Sequence, residues 1–320
     1  MDNLCHTLVG WTLGEAGLKQ KTKYGNATLM IASNLPDIDV LVFFTNTPSV
    51  EFRRGWTHGL LAQLVLPVAL TAIVAAVDRV RSHPASRGDA GQSDRARDAL
   101  DGPPLSIPWL LALSFAGVYL HVALDYLNNY GVRLLAPFDW RWFYGDAIFI
   151  VDPWLWLVLG AGVWLSRRRG TPTPARGAFA FATAYALAMF ASAQLARGVV
   201  RDAWREARGR DPRALMVGPL PITPLTRTII VDAGDHYETG TLSWWPEQVT
   251  FNAAEVPKQD HGPAIDAARS TRLISAYLVW SRFPYWTVTP TAKGTAVGVR
   301  DMRFGGALGG RMGASVVVRP

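Results

Sequence analysis

The 320-residue sequence predicts a mainly α protein: a multi-span helical membrane domain of four or five apolar helices, followed by a small, mainly β domain. Three observations predict it. Charged residues make up only 18 % of the chain, against roughly 25 % in an average soluble domain. Apolar residues make up 49 % and gather in runs close to the roughly 20 residues a bilayer-crossing helix needs. Beyond residue 200 the long runs give way to short β-like segments set between prolines and glycines. The mean hydropathy of +0.12 and the 13 tryptophans exclude a disordered chain. The single cysteine, Cys5, excludes a disulfide scaffold.

Four runs qualify as spans: residues 60–77, 105–124, 147–165 and 178–196. A fifth, residues 27–44, has the length but is interrupted by Asn34, Pro36, Asp37 and Asp39. Buried helices of a soluble core do not account for four such runs between residues 60 and 196. Trp109, Trp154, Trp156 and Trp164 fall near run ends, where interfacial aromatics collect. The N-terminal stretch carries Asp2, His6 and Glu15 and has no continuous apolar region, so no signal peptide is expected. Residues 78–104 read as a mobile polar loop and residues 166–177 as a short basic turn.

This gives a membrane domain over residues 1–200, a basic linker over 201–213 and a β-rich domain over 214–320. Residues 227–232, 240–245, 248–251 and 296–300 are β-like, residues 277–280 are another apolar run, and Gly305, Gly306, Gly309 and Gly310 punctuate a hairpin. The net charge of +7 rests mostly on arginine. On a soluble fold it would suggest nucleic acid. Beside apolar spans it reports loops near anionic headgroups, so the expected partner is the lipid bilayer and no nucleic acid is expected.

Ionisable groups inside membrane segments are costly and mark function. His121 and Asp125 stand four residues apart in HVALD, so on a helix they share one face and can reach one cation or two adjacent ones. Asp37 and Asp39, in NLPDID, are two carboxylates in apolar sequence that repel unless they share a proton or a cation; a turn with an Asp helix cap is the alternative, and it explains one of them more easily than both. His58 follows Arg53 and Arg54 in RRGWTHG; an interfacial histidine beside snorkelling arginines is the alternative. Of the six histidines, His6, His58 and His121 fall among these carboxylates, while His83, His236 and His261 lie in polar loops. Nitrogen and carboxylate ligands without thiolate suit zinc, manganese or iron. Cys5 adjoins His6 but reads as a small apolar residue. Asp146 and Asp152, in GDAIFIVDP, are second-tier ligands or partners that orient a histidine, with a helix break as the alternative for Asp152. His236 in VDAGDHYE is explained equally by a solvated turn.

His6, NLPDID, RGWTHG, HVALDYLNNYG and GDAIFIVDP stand in an order that resembles the bacterial inner-membrane metal-dependent hydrolase family of the YdjM type. The resemblance covers about residues 1–200, and the Pro-rich stretch after residue 216 looks like the C-terminal extension of longer members. It implies an inner-membrane protein that binds a divalent metal, zinc first. A fainter similarity, to the ligand order of zinc-dependent phospholipase C and P1-type nucleases, implies His6, Asp37 or Asp39, His58, His121 and Asp125 as ligands. The later His and Glu ligands of those enzymes have no clear counterpart, and Asp146 and Asp152 stand as substitutes.

The function expected is hydrolysis of a phosphoester or other ester of a lipid or lipid-linked substrate by a metal-activated water. Arg54 is the candidate for anchoring a phosphate or a developing oxyanion, with Asp39 the second catalytic candidate. Two alternatives stay open: an ion- or proton-coupled transporter, and a non-catalytic scaffold with a structural metal. Loops 78–104 and 166–177 carry five and four arginines, and loop 125–146 only two. By the positive-inside rule the site and the β domain then face away from the cytoplasm, although six arginines between residues 197 and 213 oppose this.

Overall fold

A computed structural model describes residues 1–82, 103–305 and 312–319. The chain divides into two compact units. Unit 1 comprises Met1–Asp39, Arg54–Phe143 and Ile150–Ala188; unit 2 comprises Val40–Arg53, Tyr144–Phe149 and Met189–Pro320.

Unit 1 is helical. Its helices are α1 (Asn3–Glu15), α2 (Gly25–Ala32), α4 (Leu60–Ser82), α5 (Ile107–Tyr126), α6 (Pro153–Arg169) and the first part of α7 (Thr173–Arg208). A short helix, α3 (Ser49–Phe52), belongs to unit 2. Helix α1 starts where Asp2 accepts from the Cys5 backbone N–H, a side-chain N-cap. It packs against α2 and α6, and α5 packs against α2 and α4. The α2–α5 approach is close because position 117 is glycine. A Cβ there would stand 2.5 Å from the Ala32 Cβ and 2.9 Å from the Ser33 nitrogen.

Among the described residues three helices are long and apolar enough to cross a membrane: α4, α5 and α7. A fourth candidate exists if α2 and the 3₁₀ run Leu35–Phe44 are one span, broken by a 52° bend. The break falls at Asn34 and Pro36, where proline removes a backbone donor and restricts its neighbour. The apolar run over residues 147–165 is helical only from Pro153 onward. Ala147 and Ile148 are buried but not helical, and α6 begins only at Pro153, leaving 17 residues. An apolar run counts buried coil and helix alike. Helix α7, by contrast, runs beyond its apolar run as far as Arg208.

Unit 2 contains two antiparallel meanders. One is β1 (Ala214–Pro219), β2 (Thr226–Asp232), β3 (His236–Trp244) and β4 (Glu247–Pro257). The other is β5 (Pro284–Thr291), β6 (Gly294–Asp301) and β7 (Gly313–Val318). Between them lie α8 (Pro263–Arg269) and α9 (Arg272–Trp280). Strand β2 is apolar without alternation because both its faces are covered. Ile229 and Val231 pack with Ala196, Val200 and Trp204 of α7, while Ile230 packs with Met216, Tyr237 and Phe283. Gly240 sits at a β-bulge, where a Cβ would strike the Thr250 carbonyl. The apolar run at 277–280 is the end of helix α9. His236 opens strand β3 and is not in a loop. Most of the polar loop expected over 78–104, with His83, Arg87, Arg95 and Arg97, lies outside the described residues, as do Gly306, Gly309 and Gly310.

Candidate metal centre

Four elements of unit 1 converge on a buried group of ionisable side chains. Helix α5 supplies His121 and Asp125 one turn apart. The turn before α4 supplies His58, and the 3₁₀ run after the break supplies Asp37. Helix α1 brings His6 against His121, with ring centroids 3.8 Å apart and the planes 22° from parallel.

The ligand atoms face one another. His58 Nε2 lies 3.2 Å from His121 Nε2 and 3.2 Å from Asp125 Oδ2. His121 Nε2 lies 3.5 Å from that same oxygen. Asp37 Oδ1 stands 3.9 Å from each of the two Nε2 atoms. Ligands at about 2.0–2.1 Å around a tetrahedral ion stand roughly 3.3–3.4 Å from one another. The two imidazole nitrogens and Asp125 Oδ2 therefore match one face of such a polyhedron, with Asp37 half an ångström wide of the fourth corner. Asp37, His58, His121 and Asp125 together are placed to hold a metal ion.

The outer nitrogens support the same reading. His121 Nδ1 is 2.8 Å from the Ser33 carbonyl, which only accepts, so Nδ1 carries the proton and Nε2 the lone pair. His58 Nδ1 is 2.9 Å from Thr57 Oγ1, and that hydroxyl is 3.1 Å from Asp39 Oδ2. A hydroxyl that donates to the carboxylate receives the Nδ1 proton and leaves the second Nε2 lone pair facing inward. Two lone pairs and a carboxylate at this separation repel unless a cation or a proton sits between them. Burial pushes His58 below the usual imidazole range, which keeps it neutral and able to ligate.

His6 is fully buried, and among the described residues neither of its ring nitrogens has a partner in hydrogen-bond geometry. Its Nε2 lies 3.3 Å from Asp125 Oδ1. The Met1 ammonium contacts this same oxygen, as does Arg54 Nη2 at 3.0 Å. Asp125 thus turns one oxygen to the histidine pair and the other to His6, the Met1 amino group and Arg54. Burial pushes the Cys5 thiol up to about 12, and Cys5 is not in the metal-type group.

The remaining expected site residues are outside the ligand-type group. Asp39 accepts from the Arg54 backbone N–H at 2.7 Å and from Thr57, pinning the turn that presents His58. Arg54 holds a left-handed backbone with φ 54°, and its guanidinium is spent on Asp125, on Asn128 Oδ1 at 3.1 Å and on the Tyr130 ring face. Asp146 belongs to unit 2, where it pairs with Arg197 at 2.8 Å and Arg282 at 2.9 Å. Asp152 is the N-cap of α6, accepting from the Leu155 N–H at 3.1 Å and the Tyr185 hydroxyl at 2.9 Å. Neither Asp146 nor Asp152 is in the metal-type group. Sequence reading missed Ser33, Thr57 and Asn128. Thr57 and Asn128 stand inside the RGWTHG and HVALDYLNNYG boxes and were open to notice; Ser33 acts through its carbonyl, which no side-chain pattern reveals.

A second group, His236, Glu238 and Glu255, lies in unit 2 on the β3–β4 pair. Glu238 is held there by two bonds from Arg208, at 3.1 and 2.6 Å.

Apolar spans around a buried histidine–carboxylate group define the class: a helical membrane protein with a candidate metal centre. The family described as YdjM inner membrane protein matches residues 1–196, more than half of the chain, and the chain belongs to that family. Comparison with curated proteins and with solved structures finds no match.

Proposed function

We propose that this chain is a membrane-embedded metal-dependent hydrolase acting on a phosphoester or other ester of a lipid or lipid-linked substrate. The observation that carries the proposal is the inward-facing triangle of His58 Nε2, His121 Nε2 and Asp125 Oδ2, each histidine anchored through its other nitrogen. A divalent cation bound there, zinc or alternatively manganese or iron, supplies Lewis acidity and a water of lowered pKa. The chain's own residues do the rest. Burial of the group shuts out bulk solvent and strengthens each electrostatic contact. Arg54 offsets the charge of Asp125 and fixes its rotamer, and Asp39 holds the turn between Arg54 and His58. Both act as positioning residues. The arginines of residues 78–104 and 166–177 support, by the positive-inside rule, an extracytoplasmic side for the site.

The test is elemental analysis of detergent-purified protein, with a screen of phosphodiester and phospholipid hydrolysis. Stoichiometric metal and activity are expected in the wild type, and loss of both in folded His121→Ala and Asp125→Ala. Activity retained in both variants overturns the proposal. A transport reading draws on a different observation, the 52° break between α2 and the following 3₁₀ run beside the buried carboxylates. Metal-dependent flux in proteoliposomes without hydrolysis favours it instead.

A further inference from the structure

His58, His121, Asp125 and His6 have no exposed surface, whereas Asp37 is 5 % exposed. Asp37 also lines a groove of about 480 Å³, together with Asn3, Thr7, Met30, Ile31, Asn34, Leu35 and Ile38. That volume lies within the range of small-ligand sites, roughly 300–1,000 Å³. The groove follows the break between α2 and the 3₁₀ run, with the Asn3–Thr7 face of α1 as its other wall.

The lining selects what can enter. No basic side chain lines the groove, and Asp37 is its single ionisable group. The neutral polar groups bond among themselves: Asn34 Nδ2 donates to Thr7 Oγ1 at 3.0 Å and to the Met30 carbonyl at 2.8 Å, and Thr7 Oγ1 donates to the Asn3 carbonyl at 2.7 Å. Beside the Asn3 side chain and Asn34 Oδ1, a ligand meets the apolar surface of Met30, Ile31, Leu35 and Ile38. Ile31 and Ile38 are about half exposed, and both lie in the broken pair that counts as a candidate span. Among the described residues the lining offers a phosphate no basic side chain, whereas a hydrocarbon chain gains from covering the isoleucines.

We propose that this groove binds one acyl chain of a membrane glycerolipid and turns the polar end of that chain toward Asp37. The inference rests on the lipid-hydrolase reading for its purpose, but its test does not. The groove admits the chain from the bilayer side, so the substrate reaches the centre tail-guided and not headgroup-first.

The experiment uses full-length protein in phosphatidylglycerol–phosphatidylethanolamine vesicles that contain phosphatidylglycerol with a diazirine on one acyl chain. After photolysis, adducts are mapped by peptide mass spectrometry. Labelling of Met30, Ile31, Leu35 and Ile38 is expected at several-fold excess over Val65 and Val68, exposed apolar residues of α4. The paired substitutions Ile31→Trp and Ile38→Trp, which fill the groove from its exposed edge, should remove the excess and leave the metal content at the wild-type level. Labelling no higher than at Val65 and Val68 overturns the proposal, because it then reports bulk lipid. Unchanged labelling in the doubly substituted protein overturns it too. Displacement of the label by an isoprenoid phosphate but not by added phosphatidylglycerol overturns the acyl assignment. Absence of metal from the wild type would sink the hydrolase reading and leave the labelling result standing, so the two failures are distinguishable.

Discussion

Thr57 is a residue whose side chain can be removed without touching a ligand. It receives the Nδ1 side of His58 at 2.9 Å and passes the bond to Asp39 at 3.1 Å. Partners of this kind typically contribute 10–100-fold to metal affinity, because they fix the ring and its tautomer. Thr57→Val keeps the volume and loses the hydroxyl. We expect apparent affinity to fall by about 10–100-fold at unchanged stoichiometry, measured by titrating chelator-stripped protein; equal affinity in the two proteins would show that the bond does not orient His58. His236 offers a separate residue-scale prediction in unit 2. Burial alone would lower its pKa, but the Asp235 hydrogen bond and the Glu255 charge outweigh burial and raise it above the usual 6.5. A raised value in the folded state means that the protonated ring stabilises the fold. That contribution is complete below pH 6.5 and is lost as the pH rises through the folded value. Denaturation midpoints of the wild type should fall across that window, and those of His236→Gln should show no such fall. Parallel pH profiles for the two proteins would rule the contribution out.

At the scale of elements, Asp152 separates two roles that look alike in sequence. It caps α6 and receives the Tyr185 hydroxyl within unit 1. Removing an N-cap carboxylate costs about 1 kcal/mol. Asp152→Ala should therefore lower stability by about that amount and leave metal stoichiometry unchanged; loss of metal with an intact fold would return Asp152 to the ligand set. The contrast shows what the sequence made legible. The i, i+4 spacing of His121 and Asp125 specifies a shared helix face, and the structure places both at one centre. The apolar runs of α4, α5 and α7 are equally plain, because span length and composition are local properties. Asp146 and Asp152 carry the same residue type as Asp37, and only tertiary placement separates an arginine-bound carboxylate and a cap from a ligand-type one. The start of the expected third span was misplaced for a related reason. Buried coil at Ala147 and Ile148 is as apolar as the helix that begins six residues after Ala147. Ser33 was out of reach altogether, since its carbonyl is aimed at His121 by the end of α2 and by the close approach at Gly117.

For the whole molecule, a metal held at the centre would couple its binding to folding. Asp37, His58 and His121 belong to segments distant in sequence, so the unfolded chain does not present them together and an ion held there would bind the native state selectively. Linkage then fixes the size of the effect. An ion free at a hundred times its dissociation constant stabilises the native state by about 2.7 kcal/mol. The apparent melting temperature of detergent-solubilised wild type should fall when a chelator is added and recover when the metal is restored. His121→Ala should melt at one temperature with or without chelator, because it has no centre to empty. A heated membrane protein often unfolds irreversibly, so the comparison is made at one scan rate and reads the difference between the paired samples. A chelator shift of equal size in both proteins would place the responsible ion elsewhere, with the His236 group of unit 2 as the next position to substitute. No shift in the wild type would mean that the inward lone pairs are satisfied by a proton, and the centre would then belong with the proton relays of membrane carriers.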